Sequence, residues 1–215
     1  MIEARGSRAA IARAYTLFSL LYNRTVMPLE REAVRRALTR VRLQPGERLL
    51  EVAVGTGAVF ERLRQRAGRE AQLVGVDLSP GMLRVTWRRL PSARLARADA
   101  RALPFPGDHF DLVWASYLLD LIPTADLTPL LAEFRRVLKP GGRLLLVNFS
   151  KSGAGLTRWE QLYRLAPGWL VPYLFGGCRP VEAEPFARAA GFTDLAREFV
   201  PGGLDSEIIT ARKPA

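Results

Sequence analysis

From Glu47 onward the chain alternates short apolar runs with stretches of helical period, and this alternation narrows the folds open to it more than any other feature. Strands joined through helices run parallel, and a parallel sheet needs helices on both faces to keep water from its core. Arg48 to Val54 reads as a buried strand, after which Val59, Phe60, Leu63 and Ala67 recur at helical spacing. Gln72 to Val76 reads as a second strand, and Ser79 followed by Pro80 marks a helix start before Met82, Leu83, Val85, Trp87 and Leu90. Strands over Ala93 to Ala98, Phe110 to Ala115 and Arg143 to Asn148 follow. A helix on Leu127, Leu130, Leu131, Phe134, Val137 and Leu138 precedes the last of them, and Pro140-Gly141-Gly142 should stop it. A helix over Val181 to Ala190 and an antiparallel pair, Phe192 to Val200 with Glu207 to Ala211, end the pattern. The expected fold is α/β: a mostly parallel seven-stranded sheet with helices on both faces and an antiparallel closing strand.

The 215 residues, 48% hydrophobic and 25% charged, suffice for one substantial core, so a single domain over 1–215 is expected. Its core is 47–150. Residues 1–46 form a helical cap with Leu29, Val34, Leu38 and Val41 on one face, and 181–215 hold the closing helix and strands. The insert 151–180 is rich in Trp159, Tyr163, Trp169, Tyr173 and Phe175. Cap and insert are expected to roof the crevice at the carboxyl ends of the strands, where open sheets of this kind bind ligands.

Cys178 is the only cysteine, so neither an intrachain disulfide nor a structural zinc site is expected, and a reducing cytoplasm fits the chain. The net charge of +11 rests on arginine, with Lys139, Lys151 and Lys213 the only lysines. Such a surface attracts anions, which admits peripheral association with the inner face of an anionic membrane or simple solubility. Ala14 to Tyr22 lacks a following small-residue cleavage site, and Leu165 to Cys178 is shorter than the ~20 residues of a spanning helix. No nucleic-acid partner is expected, because Trp114-Ala115-Ser116-Tyr117 is not the loop of base amino-group methylation and the aromatics are not interleaved with basic residues.

The chemistry gathers at Glu51-Val52-Ala53-Val54-Gly55-Thr56-Gly57, where an acidic strand end meets a glycine turn and a helix start. A dinucleotide fingerprint would want a third glycine where Phe60 stands, and Glu51 suits a cation better than a phosphate. Asp77, at the end of the next strand, can accept both hydroxyls of a ribose, which by itself indicates only a nucleoside. Asp99-Ala100 follows the third strand and can accept an adenine amino group. Taken singly, the glycines fit a tight turn, Asp77 a helix cap, Asp99 a solvated acid and Met82 a core residue; their order favours a ligand site.

Leu50 to Gly57, Val74 to Leu83, Asp99 to Pro106, Phe110-Asp111 and Arg136 to Gly142 together resemble the ubiquinone and menaquinone C-methyltransferases and their relatives among bacterial phospholipid N-methyltransferases. The resemblance implies a Rossmann-like methyltransferase fold and the cofactor S-adenosyl-L-methionine, with S-adenosyl-L-homocysteine as product. It implies the cofactor lying over Gly55 and Gly57, ribose on Asp77, adenine near Asp99, and Met82 on the base. Glu51, Ala53, Thr56, Leu78, Ala100 and Ser116 complete the implied cofactor set. Family members often carry a tyrosine-aspartate pair before the first strand, facing the methyl. Here Tyr15 is followed by Thr16 and Tyr22 by Asn23, so Tyr15 and Tyr22 stand as candidate catalytic residues or as packing for the amino-terminal helix.

Methyl transfer from a sulfonium is an in-line displacement, so the protein's task is to hold a nucleophile in line and exclude water. The only histidine, His109, precedes a strand in a loop and reads as solvated. Tyr22, Asn148 and Arg179 are candidates to meet the acceptor. Three functions remain: a methyltransferase for a lipophilic acceptor such as a quinol or phospholipid headgroup, one for a soluble small metabolite, and a non-catalytic cofactor- or nucleic-acid-binding module.

Overall fold

The structure, a computed structural model, describes the chain except residues 1–2, 5–6, 20–23, 25, 69–70, 152–157, 168–169 and 172–176. Tyr22, Trp169, Tyr173 and Phe175 therefore lie outside the described residues. Seven strands, β1 (Arg48–Val52), β2 (Gln72–Asp77), β3 (Arg94–Arg97), β4 (Phe110–Ser116), β5 (Leu138–Phe149), β6 (Thr193–Val200) and β7 (Ser206–Arg212), form one sheet. Their order is β3-β2-β1-β4-β5-β7-β6. β1 to β5 pair in parallel, and β7 is antiparallel to both β5 and β6. The helices are α1 (Arg8–Phe18), α2 (Met27–Thr39), α3 (Ala58–Ala67), α4 (Pro80–Arg89), α5 (Thr124–Val137), α6 (Arg158–Leu165) and α7 (Glu184–Ala189) among the described residues.

Side chains alternate across the sheet and divide its apolar residues between two cores. Leu50, Val113, Leu144 and Leu146 pack on one face with Leu127, Leu131 and Phe134 of α5. Leu49, Leu112, Trp114 and Leu145 pack on the other with Val34 and Leu38 of α2 and Phe60 and Leu63 of α3. Trp114 and Phe134 are fully buried, and truncating either to alanine should cost about 3 to 5 kcal/mol. Strands leave β1 in opposite directions, through β2 to β3 and through β4 to β5, which opens a crevice at the carboxyl ends of β1 and β4.

Four local expectations are corrected. β1 stops at Val52 rather than Val54, because Ala53 turns into the left-handed region at φ 61°. No loop separates α5 from β5: the helix ends at Val137 and the strand runs from Leu138 through Pro140-Gly141-Gly142. Gly141 and Gly142 exchange backbone bonds of 3.0 and 2.9 Å with Lys213, so this segment is held at the sheet margin. The pairing Phe110 with Leu138 then shifts to Leu112 with Arg143, absorbing the extra residues in a bulge. Residues 181–183 are not helical, since the Val181 and Ala183 amides donate to Phe149 and Glu207. Leu29 is exposed while Val34, Leu38 and Val41 are buried; the buried stripe of α2 begins instead at Glu30 and continues through Ala33, Val34, Ala37 and Leu38.

Candidate active site

The glycine turn is built by backbone geometry. Beyond Ala53, the Val54 amide bonds Val76 at 2.9 Å and the Gly57 amide returns to Val54 at 3.0 Å. Gly57, at φ 76°, opens α3, and a β-carbon there would stand 2.5 Å from Cγ2 of Thr86. The Thr86 hydroxyl donates to the Gly55 carbonyl at 2.6 Å, seating α4 under the turn. Ala53 and Tyr117, which both border the crevice, are non-glycine residues at positive φ, a strained conformation that such sites often store.

Asp77 links this turn to the next helix. One carboxylate oxygen accepts the Gly55 amide and the other the Ser79 amide, each at 2.8 Å. Each oxygen keeps a second acceptor position for a ligand hydroxyl. Ser79 caps α4 by accepting from the Met82 amide at 3.2 Å, and its hydroxyl meets that of Thr16 at 2.9 Å. α1 thereby lies across the start of α4, so closely that a β-carbon on Gly81 would fall 2.7 Å from the Thr16 backbone.

These elements enclose a cleft of about 1090 Å³ measured out to its mouth. Glu51, Ala53, Gly55, Thr56, Asp77, Leu78, Met82, Asp99, Ala100, Ser116 and Tyr15 all line it. Gly57 sits beneath the turn against Thr86. Met82 is 2% exposed, as a core residue would be, and it also forms part of the wall. Asp99 holds Arg101 in a two-pronged pair, with contacts of 3.0 and 2.9 Å, and Arg101 also reaches Asp126. The structure does not bring Asn148 or Arg179 to the cleft wall. Asn148 is buried in the sheet and donates to Glu207 at 2.9 Å, and Arg179 donates to the Ile122 carbonyl at 2.6 Å.

Glu51 tests whether the cleft fits the expected cofactor. It is 1% exposed, and its Oε2 has no hydrogen-bond partner among the described residues. Burial, and then the neighbouring charge of Asp77, push its carboxyl well above the ordinary range. A buried carboxyl at the end of β1 with one oxygen left unpartnered among the described residues matches the ammonium of an amino-acid moiety, while Asp77 matches a ribose and Met82 and Ala100 an adenine. The residues fit S-adenosylmethionine.

The far half of the cleft adds wall residues that the sequence reading did not name. Ile11, Met27, Leu118, Leu121 and Ile122 give it an apolar wall, and Glu30 of α2, 5% exposed, enters it as an acid. Asp120, behind that wall, is fully buried. Its signal in the sequence is a lone acid within Leu118-Leu119-Asp120-Leu121-Ile122.

Residues 49–142 match a family described as a methyltransferase domain. A ubiquinone/menaquinone biosynthesis C-methyltransferase of Teredinibacter turnerae is 38% identical over 138 residues, covering 61% of this chain and 54% of that protein. The enzyme of the same name from Cupriavidus pinatubonensis is 34% identical over 176 residues, 78% of this chain and 71% of that one. The match thus spans little more than half of some relatives and over two thirds of others. The fold also matches Haemonchus contortus phosphoethanolamine N-methyltransferase 2, solved with phosphomonomethylethanolamine and S-adenosylhomocysteine, at a TM-score of 0.71 and 20% identity over 86% of this chain and 53% of that one. With the cleft's fit to the cofactor, these matches place the chain in the class I S-adenosylmethionine-dependent methyltransferase family, beside the quinone C-methyltransferases.

Proposed function

We propose that the chain transfers the methyl group of S-adenosylmethionine to a lipophilic acceptor, a quinol-type ring with an ionisable hydroxyl. The observation that carries this reading is the continuity of the cleft from the glycine turn to the apolar wall of Ile11, Met27, Leu118, Leu121 and Ile122. Such a wall suits a ring and prenyl tail better than a charged headgroup, and quinone C-methyltransferases are the relatives at 34 and 38% identity.

When bound, the cofactor supplies an electrophilic methyl on a sulfonium. Glu51 would hold its ammonium, Asp77 its ribose, and Met82 and Ala100 its base, with Asp99 beside the amino group. Tyr15 faces the acceptor half, where its hydroxyl can orient the acceptor oxygen. The apolar wall excludes water, which protects the sulfonium and keeps the reacting atoms aligned. Ile11, Tyr15, Met27 and Glu30 of the cap border this half.

No described helix is long and apolar enough to cross a membrane, so a membrane-borne acceptor would be reached from the surface. The charge of +11 favours an anionic bilayer, each arginine near it contributing about 1 kcal/mol. The test is transfer from labelled cofactor to a reduced prenylated naphthoquinol in anionic vesicles, to its short-chain soluble analogue and to phosphatidylethanolamine. The vesicle-borne quinol should be methylated fastest, and salt should weaken both sedimentation and turnover. Equal turnover on the soluble analogue without sedimentation would favour a soluble metabolite, and transfer to phosphatidylethanolamine alone would favour a headgroup amine.

A further inference from the structure

We propose that Asp120 is the proton store of the acceptor site, taking the acceptor's hydroxyl proton through Tyr15 and Cys178. The inference rests on the methyltransferase reading above and concerns a residue that touches neither cofactor nor acceptor but acts through Tyr15.

Asp120 lies in the short 3-10 turn Leu119–Leu121 that follows β4, among apolar neighbours, with 0% of its surface exposed. Among the described residues no nitrogen or oxygen donor meets either of its carboxylate oxygens; the side-chain donor beside them is the Cys178 thiol. A buried acid with a purely structural role is normally paired, because an unpaired charge in a dry interior is strongly disfavoured. The obvious partner does not take it up. Arg179 is equally buried and its amide donates to the Asp120 carbonyl at 3.2 Å, yet its Nη2 is directed to Ile122 and Thr124, and its Nε and Nη1 have no partner among the described residues.

What stands between Asp120 and the cleft is a pair of weak acids. Tyr15 lines the cleft, and its hydroxyl meets Sγ of Cys178 at 3.6 Å. The Cys178 thiol lies beside the Asp120 carboxylate. Burial, followed by nearby negative charge, holds both Tyr15 and Cys178 in their neutral forms. Each can therefore accept one proton only as it passes another on. The acceptor proton moves to the Tyr15 oxygen, the phenol proton to the Cys178 sulfur, and the thiol proton to Asp120. The acceptor oxygen keeps the bonding pair that drives attack on the methyl, and Asp120 ends as the neutral acid.

The groups facing Asp120 are Tyr15 from α1, Tyr117 from the end of β4, and Cys178 and Arg179 from the segment before 181; Glu30 of α2 adds negative charge to Tyr15, Tyr117 and Cys178. Burial raises the Asp120 carboxyl to about 7 against the lowering influence of Cys178 and Arg179. The folded-state value exceeds the unfolded one, so the neutral acid favours folding at low pH and that contribution is lost as pH rises through about 7. Asp120→Asn should then melt higher than the natural chain above pH 7.

The experiment is an infrared pH titration of the S-adenosylhomocysteine complex, paired with turnover of vesicle-borne prenylated naphthoquinol. The natural chain should show a carboxyl band that vanishes near pH 7 and is missing in Asp120→Asn. Its kcat/KM should rise over the same interval, while Asp120→Asn loses the rise and falls by about 100-fold or more with cofactor affinity unchanged. Cys178→Ala should lose about tenfold, and Cys178→Ser, which keeps a hydroxyl in the path, should recover it. A band that persists in Asp120→Asn, or a pH profile that survives the substitution, overturns the proposal. If the natural chain leaves the naphthoquinol unmethylated, the acceptor reading falls and the titrating band alone decides whether Asp120 is the proton store.

Discussion

The Gly55 amide donates to the Asp77 carboxylate at 2.8 Å, so the turn after β1 and the end of β2 are joined through a single side chain. Asp77 thus shapes the site as well as contacting what enters it.

Asp77→Ala should weaken S-adenosylhomocysteine binding by at least 100-fold. Two hydroxyl bonds to a carboxylate are worth about 1.5 to 3 kcal/mol each, and the turn also loses its tether. Asp77→Asn keeps one acceptor oxygen and should fall between. Titration calorimetry measures all three, and an Asp77→Ala affinity within threefold of the natural chain would remove Asp77 from the ribose site.

Glu51 gives a dependence on pH with a definite sign. Its folded-state carboxyl is raised well above the ordinary value, so the stability it allows is present below its unfolded value of about 4 and is lost as pH climbs through the folded one. Without ligand, the melting temperature should decline as pH climbs above about 4, and Glu51→Gln should flatten the decline. An ammonium arriving at Oε2 favours the carboxylate, so binding should release a proton wherever the free protein still holds Glu51 as the neutral acid. Calorimetry in two buffers of different ionisation enthalpy reads that release, which Glu51→Gln should abolish.

Gly57→Ala drives a β-carbon to 2.5 Å from Cγ2 of Thr86 and strains a residue at φ 76°. We expect a loss of about 1 to 3 kcal/mol in stability and a weaker cofactor site. Thr86→Ser removes the methyl while keeping the hydroxyl that donates to Gly55, so Gly57→Ala/Thr86→Ser should regain part of the loss. Denaturant melts of the four proteins in a double-mutant cycle give the coupling directly.

His109→Ala should leave turnover within about twofold, a change of under 1 kcal/mol in the barrier. His109 precedes the amino end of β4, whereas the cleft opens at Ser116, roughly 20 Å away at ~3.3 Å per residue. Its ring lies 3.4 Å from Arg48 and against Phe110. A large drop in turnover in a folded His109→Ala protein would contradict this geometry.

The cofactor half was legible because backbone rules dictate it. Gly55, Gly57, Asp77 and the Ser79-Pro80 start occupy places that only a few residue types tolerate, and local sequence records such places. The acceptor half depends on which distant segments pack together. Glu30 at the cleft wall and Asp120 behind it could not be read from the sequence, because a helix from before the sheet and a turn after β4 meet only in the folded chain. Asn148 was misleading for the same reason: it stands at a strand end, as a site residue would, but β7 arrives beside it with Glu207 and takes its amide. The run through Pro140-Gly141-Gly142 escaped because proline and glycine usually end regular structure, and here Lys213 completes the bonds that they leave open.

The sheet's strand order also governs how the chain is assembled on the ribosome. β6 is synthesised before β7, yet its neighbour in the sheet is β7, which lies between it and β5. Until Ser206–Arg212 has left the exit tunnel, β6 lacks its native neighbour, and Arg197 lacks the carboxylate of Glu207 that it later meets at 2.6 Å. The β1 to β5 half, with its glycine turn complete, can therefore fold during translation, while the last two strands add together only after synthesis has passed them both.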